Sequence, residues 1–192
     1  MKKLLITGFD PFDGATVNPS WEAVKLLPEK IGDYELCKLQ IPTVFGVAPR
    51  TVLEKAAEIH PDVIISVGQA GGRAAVTPER IGINIRDARI SDNAGISPKN
   101  EIIAPTGADG YFSTLPVQAM IAAINNAGLP AAISNTAGTF VCNDVLYSLL
   151  HHYAGTAVRC GFIHVPYLPE QGTPSLTLEQ TVAALTAAIS AL

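Results

Sequence analysis

The segment Gly138–Asn143, with the sequence GTFVCN, carries a cysteine at the predicted start of a helix. An apolar run ends just before it, and Val145–Leu150 after it has apolar residues at helical spacing. The pattern therefore predicts a strand, a turn and a helix. With Thr139 as the N-cap, Cys142 would be the third helical residue, where unpaired N–H groups and the helix dipole favour a thiolate with a pKa below about 8.5. Cys142 is therefore a candidate nucleophile.

The base that such a thiol needs is predicted at the end of a strand. Phe162–Pro166 is an apolar run in which His164 is followed closely by a proline that stops the strand. Glu79 lies in a turn-rich loop and is the candidate carboxylate that orients the imidazole. Simpler alternatives exist, because free cysteines often pack as small hydrophobes and Glu79 could be a solvated carboxylate paired with Arg73 or Arg80.

The glycine-rich run Gly68–Gly72 allows a second function, from a different class of protein. It follows a predicted buried strand, so its backbone could hold a phosphate group in a phosphate- or nucleotide-binding transferase. A dinucleotide fingerprint requires GxGxxG at the start of a helix, whereas Ala74–Pro78 shows no helical period. A phosphate loop without a following helix stays open as an alternative at this point.

Six motifs in order along nearly the whole chain resemble one known family. They are GFDPFDG at Gly8–Gly14, NPSW at Asn18–Trp21, GQAGGR at Gly68–Arg73, PERIGIN at Pro78–Asn84, GTFVCN at Gly138–Asn143 and FIHVPYLPEQ at Phe162–Gln171. Together they look like the pyroglutamyl peptidase I family of cysteine peptidases. The resemblance implies an exopeptidase that removes N-terminal pyroglutamate (5-oxoproline) from peptides without a metal or organic cofactor. It implies Cys142 as nucleophile, His164 as general base and then acid, and Glu79 as the residue that orients the imidazole.

The expected substrate group is a flat, neutral lactam, which calls for apolar faces and backbone groups at the ring edge rather than a carboxylate clamp. Phe9, Phe12 and Phe140 are candidates for those faces. The backbone N–H of Cys142 is the natural first oxyanion donor, and the resemblance implies Arg89 as a second contributor. The substrate-binding set that the resemblance implies is Phe9, Phe12, Thr43, Gln69, Arg89, Phe140 and Val141.

The chain also departs from the family pattern. Asp13 stands where glycine is common, the region Ser91–Gly95 is variable, and the spacing from Cys142 to His164 is short. None of these departures falls on an expected catalytic position. They leave the loop conformations and the leaving-group preference open.

Composition places limits on the class of protein. A chain of 192 residues with 48% hydrophobic content fits a single peptidase domain over residues 1–192. The net charge of −4 and a pI near 5.5 provide no basic surface, so we expect no nucleic-acid partner. The partners that we expect are peptides with N-terminal pyroglutamate and, by resemblance, further copies of the chain in a dimer or tetramer.

Location is indicated by the first residues and by the cysteines. Met1–Ile6 resembles the start of a signal peptide, but Thr7 and Gly8 break the apolar run, so we interpret it as the first strand. No apolar run reaches the roughly 20 residues that cross a bilayer, and no membrane partner is expected. None of the three cysteines belongs to a CxxC motif, which fits a reducing, cytoplasmic location.

Strands and helices that alternate along the chain must position the candidate site residues. The predicted strands are Leu4–Ile6, Leu36–Ile41, Val63–Val67, Ala131–Ser134 and Ala157–Val165, and the predicted helices lie near Pro19–Leu27, Pro49–Ile59, Pro116–Ala127 and Thr139–His151. Asn18 is expected to cap the first helix with Pro19 at N1, and Thr177–Gln180 forms a capping box before a last helix. Arg86–Gly110 is expected to be a long loop. The alternation predicts an α/β fold, a single-domain three-layer α/β/α sandwich around a central, mostly parallel twisted sheet.

Overall fold

The computed structural model describes residues 1–192. The strands are β1 Lys2–Phe9, β2 Lys30–Ile31, β3 Tyr34–Ile41, β4 Val63–Gln69, β5 Thr77–Pro78, β6 Ile81–Ile83, β7 Gly110–Phe112 and β8 Arg159–Val165. The helices are α1 Pro19–Leu26, α2 Val47–Ile59, α3 Val117–Asn126, α4 Val141–His152 and α5 Leu178–Ser190. No helix is both long enough and apolar enough to traverse a bilayer.

Six strands form one sheet in the order β2-β3-β1-β4-β8-β5. The four inner strands β3, β1, β4 and β8 are parallel, whereas the short edge strands β2 and β5 run antiparallel to their neighbours. The inner strands β1, β4 and β8 are almost wholly buried, as expected for parallel strands covered on both faces. The prediction of a mostly parallel central sheet is confirmed.

The helices cover both faces of the sheet. Along β1 the side chains alternate: Leu4 and Ile6 pack with α1, α3 and α5 in one core cluster, while Leu5 packs with α2 and α4 in a second cluster. This alternation is the period-2 geometry of a strand. The three-layer arrangement is confirmed, and the second cluster lies under the helix that carries Cys142.

Two predicted helix starts are confirmed in detail. The Asn18 side chain accepts a hydrogen bond from the backbone N–H of Ser20 at 3.1 Å, with Pro19 in the first turn. Thr177 and Gln180 form a reciprocal capping box at the start of α5. Both caps satisfy N–H groups that the helix leaves without a partner.

The prediction of a continuous strand at Ala131–Ser134 is wrong. This segment lies parallel to residues 76–80 and makes only two isolated bridges, at Ala131 and Ser134. Ala132 N donates to Val76 O, and Ser134 N donates to Pro78 O. The backbone hydrogen bond that would lie between these two hydrogen bonds is missing, because Pro78 has no N–H to donate. The ladder is therefore interrupted by a residue more than fifty positions away in sequence.

The long loop after β6 is held by its own hydrogen bonds rather than by helices or long strands. Residues 84–109 contain no named strand or helix, as predicted for most of this stretch. Arg86 and Glu101 form an antiparallel bridge that closes the base of the loop. The buried Asp92 carboxylate accepts hydrogen bonds from the N–H groups of Phe45, Ala94 and Ile96. The loop is thus attached to the segment before α2.

Candidate active site

Two of the candidate residues meet where the sheet ends. His164 is the penultimate residue of β8 and lies opposite Gly68 of β4 and Thr77 of β5. Glu79 follows β5 directly, and its N–H donates to the carbonyl of Phe162 at 2.9 Å. This register brings Glu79 Oε1 to 2.6 Å from His164 Nδ1. Because an ionised carboxylate only accepts hydrogen bonds, Nδ1 carries the proton and Nε2 is left as the basic nitrogen.

Cys142 lies in the first turn of α4, but not at the predicted position. The N-cap is Phe140, so Cys142 is the second helical residue rather than the third. The hydroxyl of Thr139 donates to the carbonyl of Asp87 at 2.7 Å and therefore does not cap the helix. Thr139 instead ties the segment before α4 to the long loop, since the N–H of Asp87 also donates to the carbonyl of Thr139.

A glycine makes room for the sulfur beside the histidine. A Cβ placed on Gly68 would lie 2.9 Å from Cys142 Sγ and 2.7 Å from Phe162 Cζ. Gly68 is also the residue that pairs with His164 across the two strands. The sulfur of Cys142 therefore lies directly over the strand position next to His164.

The prediction that Cys142 has a lowered pKa is wrong. Burial, helped by the negative charge of Glu79, raises the pKa of the Cys142 thiol to about 12, although Arg73 acts in the opposite direction. Loss of water around a thiolate outweighs the favourable effect of the helix start. The surroundings of the sulfur therefore favour the neutral thiol over the thiolate.

The histidine and the glutamate have shifted pKa values as well. Burial lowers the pKa of His164, which is only 4% exposed, although Glu79 opposes the shift. For Glu79 burial alone would raise the pKa, but His164, Ser134 and Arg73 together lower it. The two shifts describe a neutral imidazole held by an ionised carboxylate. Neutral His164 is the form that can accept a proton.

Two buried polar residues next to Cys142 anchor α4. The Asn143 amide accepts from Ile83 N and donates to the carbonyls of Ile83 and Ile85. Asp144 accepts from Gly46 N at 2.7 Å and pairs with Arg86 Nε at 2.9 Å. Side chains that are fixed in this way hold Cys142 more rigidly than a free helix end would.

A cavity of about 860 Å³ opens over Cys142 and His164. Its wall includes the predicted residues Phe9, Phe12, Thr43, Gln69, Arg89 and Phe140. Glu79 is fully buried behind His164 and does not reach the cavity. The side chain of Val141 is also fully buried, in the core below α4, so only its backbone is available to a ligand.

The aromatic residues form the apolar part of this wall. Phe140 packs against Phe12 at 6.1 Å and edge-on against Phe45 at 5.2 Å between ring centroids. Phe9 packs against Phe162, 6.2 Å away, beside the histidine. The arrangement suits a flat ring with apolar faces.

The polar part of the wall is held in fixed orientations. Thr43 donates through its N–H and its hydroxyl to Asp10 Oδ1, each at 2.7 Å. Gln69 Oε1 accepts from Gln171 Nε2 at 2.9 Å, which leaves the Gln69 amide N–H groups as its free donors. Asp13 has φ +54°, the left-handed conformation that glycine adopts most readily, which explains why a glycine suits this position.

Sequence reasoning missed other residues of the cavity wall. Arg73, Asp87 and Ile90 all line it. Arg73 belongs to the GQAGGR motif, so a signal for it was present in the sequence. Asp87 and Ile90 come from the long loop, whose path depends on contacts between remote segments.

The phosphate-binding alternative for Gly68–Gly72 is not supported. Gly68 lies against Cys142 Sγ and the Phe162 ring, and a Cβ on Gly71 would lie 2.1 Å from the Tyr167 ring. These glycines accommodate side chains of the protein itself. The short strand β5, rather than a helix, follows the loop, so no helix N-terminus is available there for a phosphate.

Comparisons with known proteins identify the family of this chain. The chain is 52% identical over 197 residues to the pyrrolidone-carboxylate peptidase of Levilactobacillus brevis, covering 99% of this chain and 97% of that one. The crystal structure of pyroglutamyl peptidase I from Bacillus amyloliquefaciens matches with a TM-score of 0.96 at 46% identity, covering 99% and 96% of the two chains. Pyrrolidone carboxyl peptidase from Thermococcus litoralis gives 0.95 at 38% identity, covering 100% and 93%. Since the family model described as pyroglutamyl peptidase also matches residues 2–192, the chain belongs to the pyroglutamyl peptidase family of cysteine peptidases.

Proposed function

We propose that residues 1–192 act as one peptidase domain that removes N-terminal pyroglutamate from peptides, with Cys142, His164 and Glu79 as its catalytic set. The observation that carries the proposal is the 2.6 Å contact between Glu79 Oε1 and His164 Nδ1, beside a sulfur that lies over the neighbouring strand. A nucleophile, a base and an orienting carboxylate that line or support one cavity are the parts that thiol-dependent acyl transfer needs.

In this mechanism the neutral thiol and the neutral imidazole react together. His164 Nε2 accepts the proton of Cys142 as the sulfur attacks the pyroglutamyl carbonyl carbon, and an S–C bond forms. The backbone N–H of Cys142 and the Arg89 side chain stabilise the oxyanion. When the C–N bond breaks, the imidazolium donates its proton to the leaving amine. Water then hydrolyses the thioester with His164 again as base.

The cavity wall supports selection of the lactam. The ring is neutral and flat, so Phe9, Phe12 and Phe140 can cover its faces while Gln69 donates to a carbonyl at its edge. A glutaminyl residue has an ammonium group in place of the lactam N–H. Burial of that charge between apolar faces is costly without a partner. We therefore place the pyroglutamyl ring against the three phenylalanines.

A direct assay tests the function. The purified protein is incubated with a chromogenic pyroglutamyl amide and, separately, with the matching glutaminyl amide, whose leaving group is the same. We expect release of the leaving group from the pyroglutamyl compound only. Equal release from both compounds would contradict the lactam pocket, and release from neither would contradict the peptidase function.

Gly68 provides a test of the proposed geometry. We expect Gly68→Ala to lower kcat about 100-fold, because a Cβ within 2.9 Å of Cys142 Sγ displaces the sulfur from its place beside His164, and displacements of this size have effects of that order. Thermal unfolding of the variant shows whether it remains folded. A folded variant with wild-type kcat would show that the sulfur does not react from this position.

We also propose a cytoplasmic location and a homo-oligomeric state. The location rests on three free cysteines, of which Cys160 is buried and Cys37 and Cys142 are partly exposed, a pattern that suits a reducing compartment. The oligomeric state, a dimer or a tetramer, rests on the family resemblance. Sedimentation of the purified protein measures the number of subunits.

A further inference from the structure

Arg73 makes a set of contacts that the proposed mechanism does not use. Its Nη1 donates to Glu79 Oε1 at 2.7 Å and to Thr77 Oγ1 at 2.6 Å, while Nη2 donates to the carbonyl of Thr136 at 3.1 Å. The side chain is 29% exposed and lines the cavity. One guanidinium thus connects the residue that orients the histidine with the loop that leads into α4.

The contacts around Glu79 are unevenly shared between its two oxygens. Oε1 accepts hydrogen bonds from both Arg73 and His164, whereas Oε2 is buried and has no hydrogen-bond partner. Arg73 and His164 therefore share a single oxygen. A permanent cation next to Glu79 offsets the buried negative charge even while the imidazole is neutral.

We propose that Arg73 is a positioning residue of the active site, which fixes Glu79 against His164 and limits how strongly Glu79 favours the protonated imidazole. The inference rests on the proposed roles of Cys142, His164 and Glu79. A Cys–His–Glu set without this arginine would hold the imidazolium more tightly. His164 would then carry a proton over more of the pH range, and in that protonated form it cannot accept the one from the thiol.

The charges that face His164 support this role. Glu79 approaches from the end of β5, Arg73 from the loop after β4 and Cys142 from α4. The other charged residues of the cavity wall are Asp13, Asp87 and Arg89. After the effect of burial, Glu79 raises the pKa of His164 and Arg73 lowers it. Arg73 also lowers the pKa of Cys142, against burial and Glu79. Loss of Arg73 is therefore expected to raise both the pKa of His164 and the pKa of Cys142.

The geometry also requires an arginine rather than a simple cation. Lysine carries the same charge on a flexible stem, but its single ammonium cannot reproduce the planar fork that spans Glu79, Thr77 and the Thr136 carbonyl. We therefore expect the electrostatic and the geometric contributions to separate in the variants Arg73→Lys and Arg73→Gln.

The test measures kcat/KM against pH for these two variants, together with the rate of Cys142 alkylation by iodoacetamide. We expect Arg73→Gln to move the acid limb of kcat/KM upward by about one pH unit and to slow alkylation at pH 8 about tenfold, the effect of one pKa unit on the thiolate fraction. Arg73→Lys is expected to keep the wild-type acid limb while kcat falls about tenfold.

Arg80→Gln is the matched control, because Arg80 adjoins Glu79 in sequence but is exposed and lines a different surface groove. We expect its pH profile to match that of the wild type. The proposal is wrong if Arg73→Gln loses activity while the acid limb of its kcat/KM profile stays at the wild-type pH. It is also wrong if Arg73→Lys moves the acid limb as far as Arg73→Gln does. Should Arg73→Gln fail to fold, the position of the limb in Arg73→Lys decides.

The alkylation measurement separates this inference from the proposed function. If the wild type cleaves no pyroglutamyl amide, the peptidase function fails, yet the alkylation rates of Cys142 still report the effect of Arg73 on the site. If the wild type is active and alkylation is the same in wild type and Arg73→Gln, the role of Arg73 fails while the function stands.

Discussion

Cys142→Ser is expected to lower kcat for a pyroglutamyl amide by at least about two orders of magnitude, in the range for loss of a chemical group that acts in the transition state. Serine has nearly the same shape, so the helix and cavity should remain. Its hydroxyl is a much weaker acid than a thiol, and transfer of its proton to His164 is correspondingly less favourable. Steady-state hydrolysis of the amide measures the effect.

Cys160→Ser is the control for this substitution. Cys160 lies at the other end of β8, in the core, and burial raises the pKa of its thiol to about 12. It does not line the cavity, so we expect kcat to stay near the wild-type value. Equal activity of Cys142→Ser and the wild type would remove Cys142 from the mechanism.

Two of the three candidate catalytic residues, Cys142 and His164, could be found from the sequence because their signals are local. Cys142 follows a turn and precedes a helical pattern, and His164 ends an apolar run before a proline. Parallel strands bring their carboxyl ends to one edge of a sheet, which is where ligands of α/β proteins bind. Glu79 needed the family resemblance, since its own neighbourhood fits a surface loop equally well.

The acidity of Cys142 could not be predicted from its neighbours in sequence. A helix N-terminus is visible in the sequence and lowers a thiol pKa, but burial depends on segments that are far away. Gly68 lies 74 positions before Cys142 and Phe162 lies 20 positions after it, and both meet near the sulfur. Their packing decides the sign of the shift in the thiol pKa, and it favours the neutral thiol.

Two features of the fold also depend on contacts between remote segments and could not be predicted: the interrupted pairing at Pro78 and the path of the long loop. The run Ala131–Ser134 has the composition of a strand, but its partner segment includes Pro78, which interrupts the hydrogen bonding. The wall residues Asp87 and Ile90 depend on a loop that is held by Asp92 and by the Arg86–Glu101 bridge. These contacts join segments that no local pattern relates to one another.

His164→Ala is expected to lower kcat at least about 100-fold at neutral pH, because the neutral thiol of Cys142 then has no base. The dependence on pH should also change. We expect the wild type to be active at pH values above the pKa of His164, which burial lowers. Its activity should be lost as the pH falls through that pKa. In the variant this base is absent, and only the thiolate fraction of Cys142, with a pKa of about 12, can react.

The residual rate of His164→Ala should therefore rise about tenfold per pH unit between pH 7 and 10, since the thiolate fraction rises by that factor well below its pKa. His152→Ala is the matched control, because His152 is exposed at the end of α4 and does not line the cavity. It should keep the wild-type rate and acid limb. A His164→Ala variant with a wild-type acid limb and a rate within tenfold of the wild type would show that another group accepts the thiol proton.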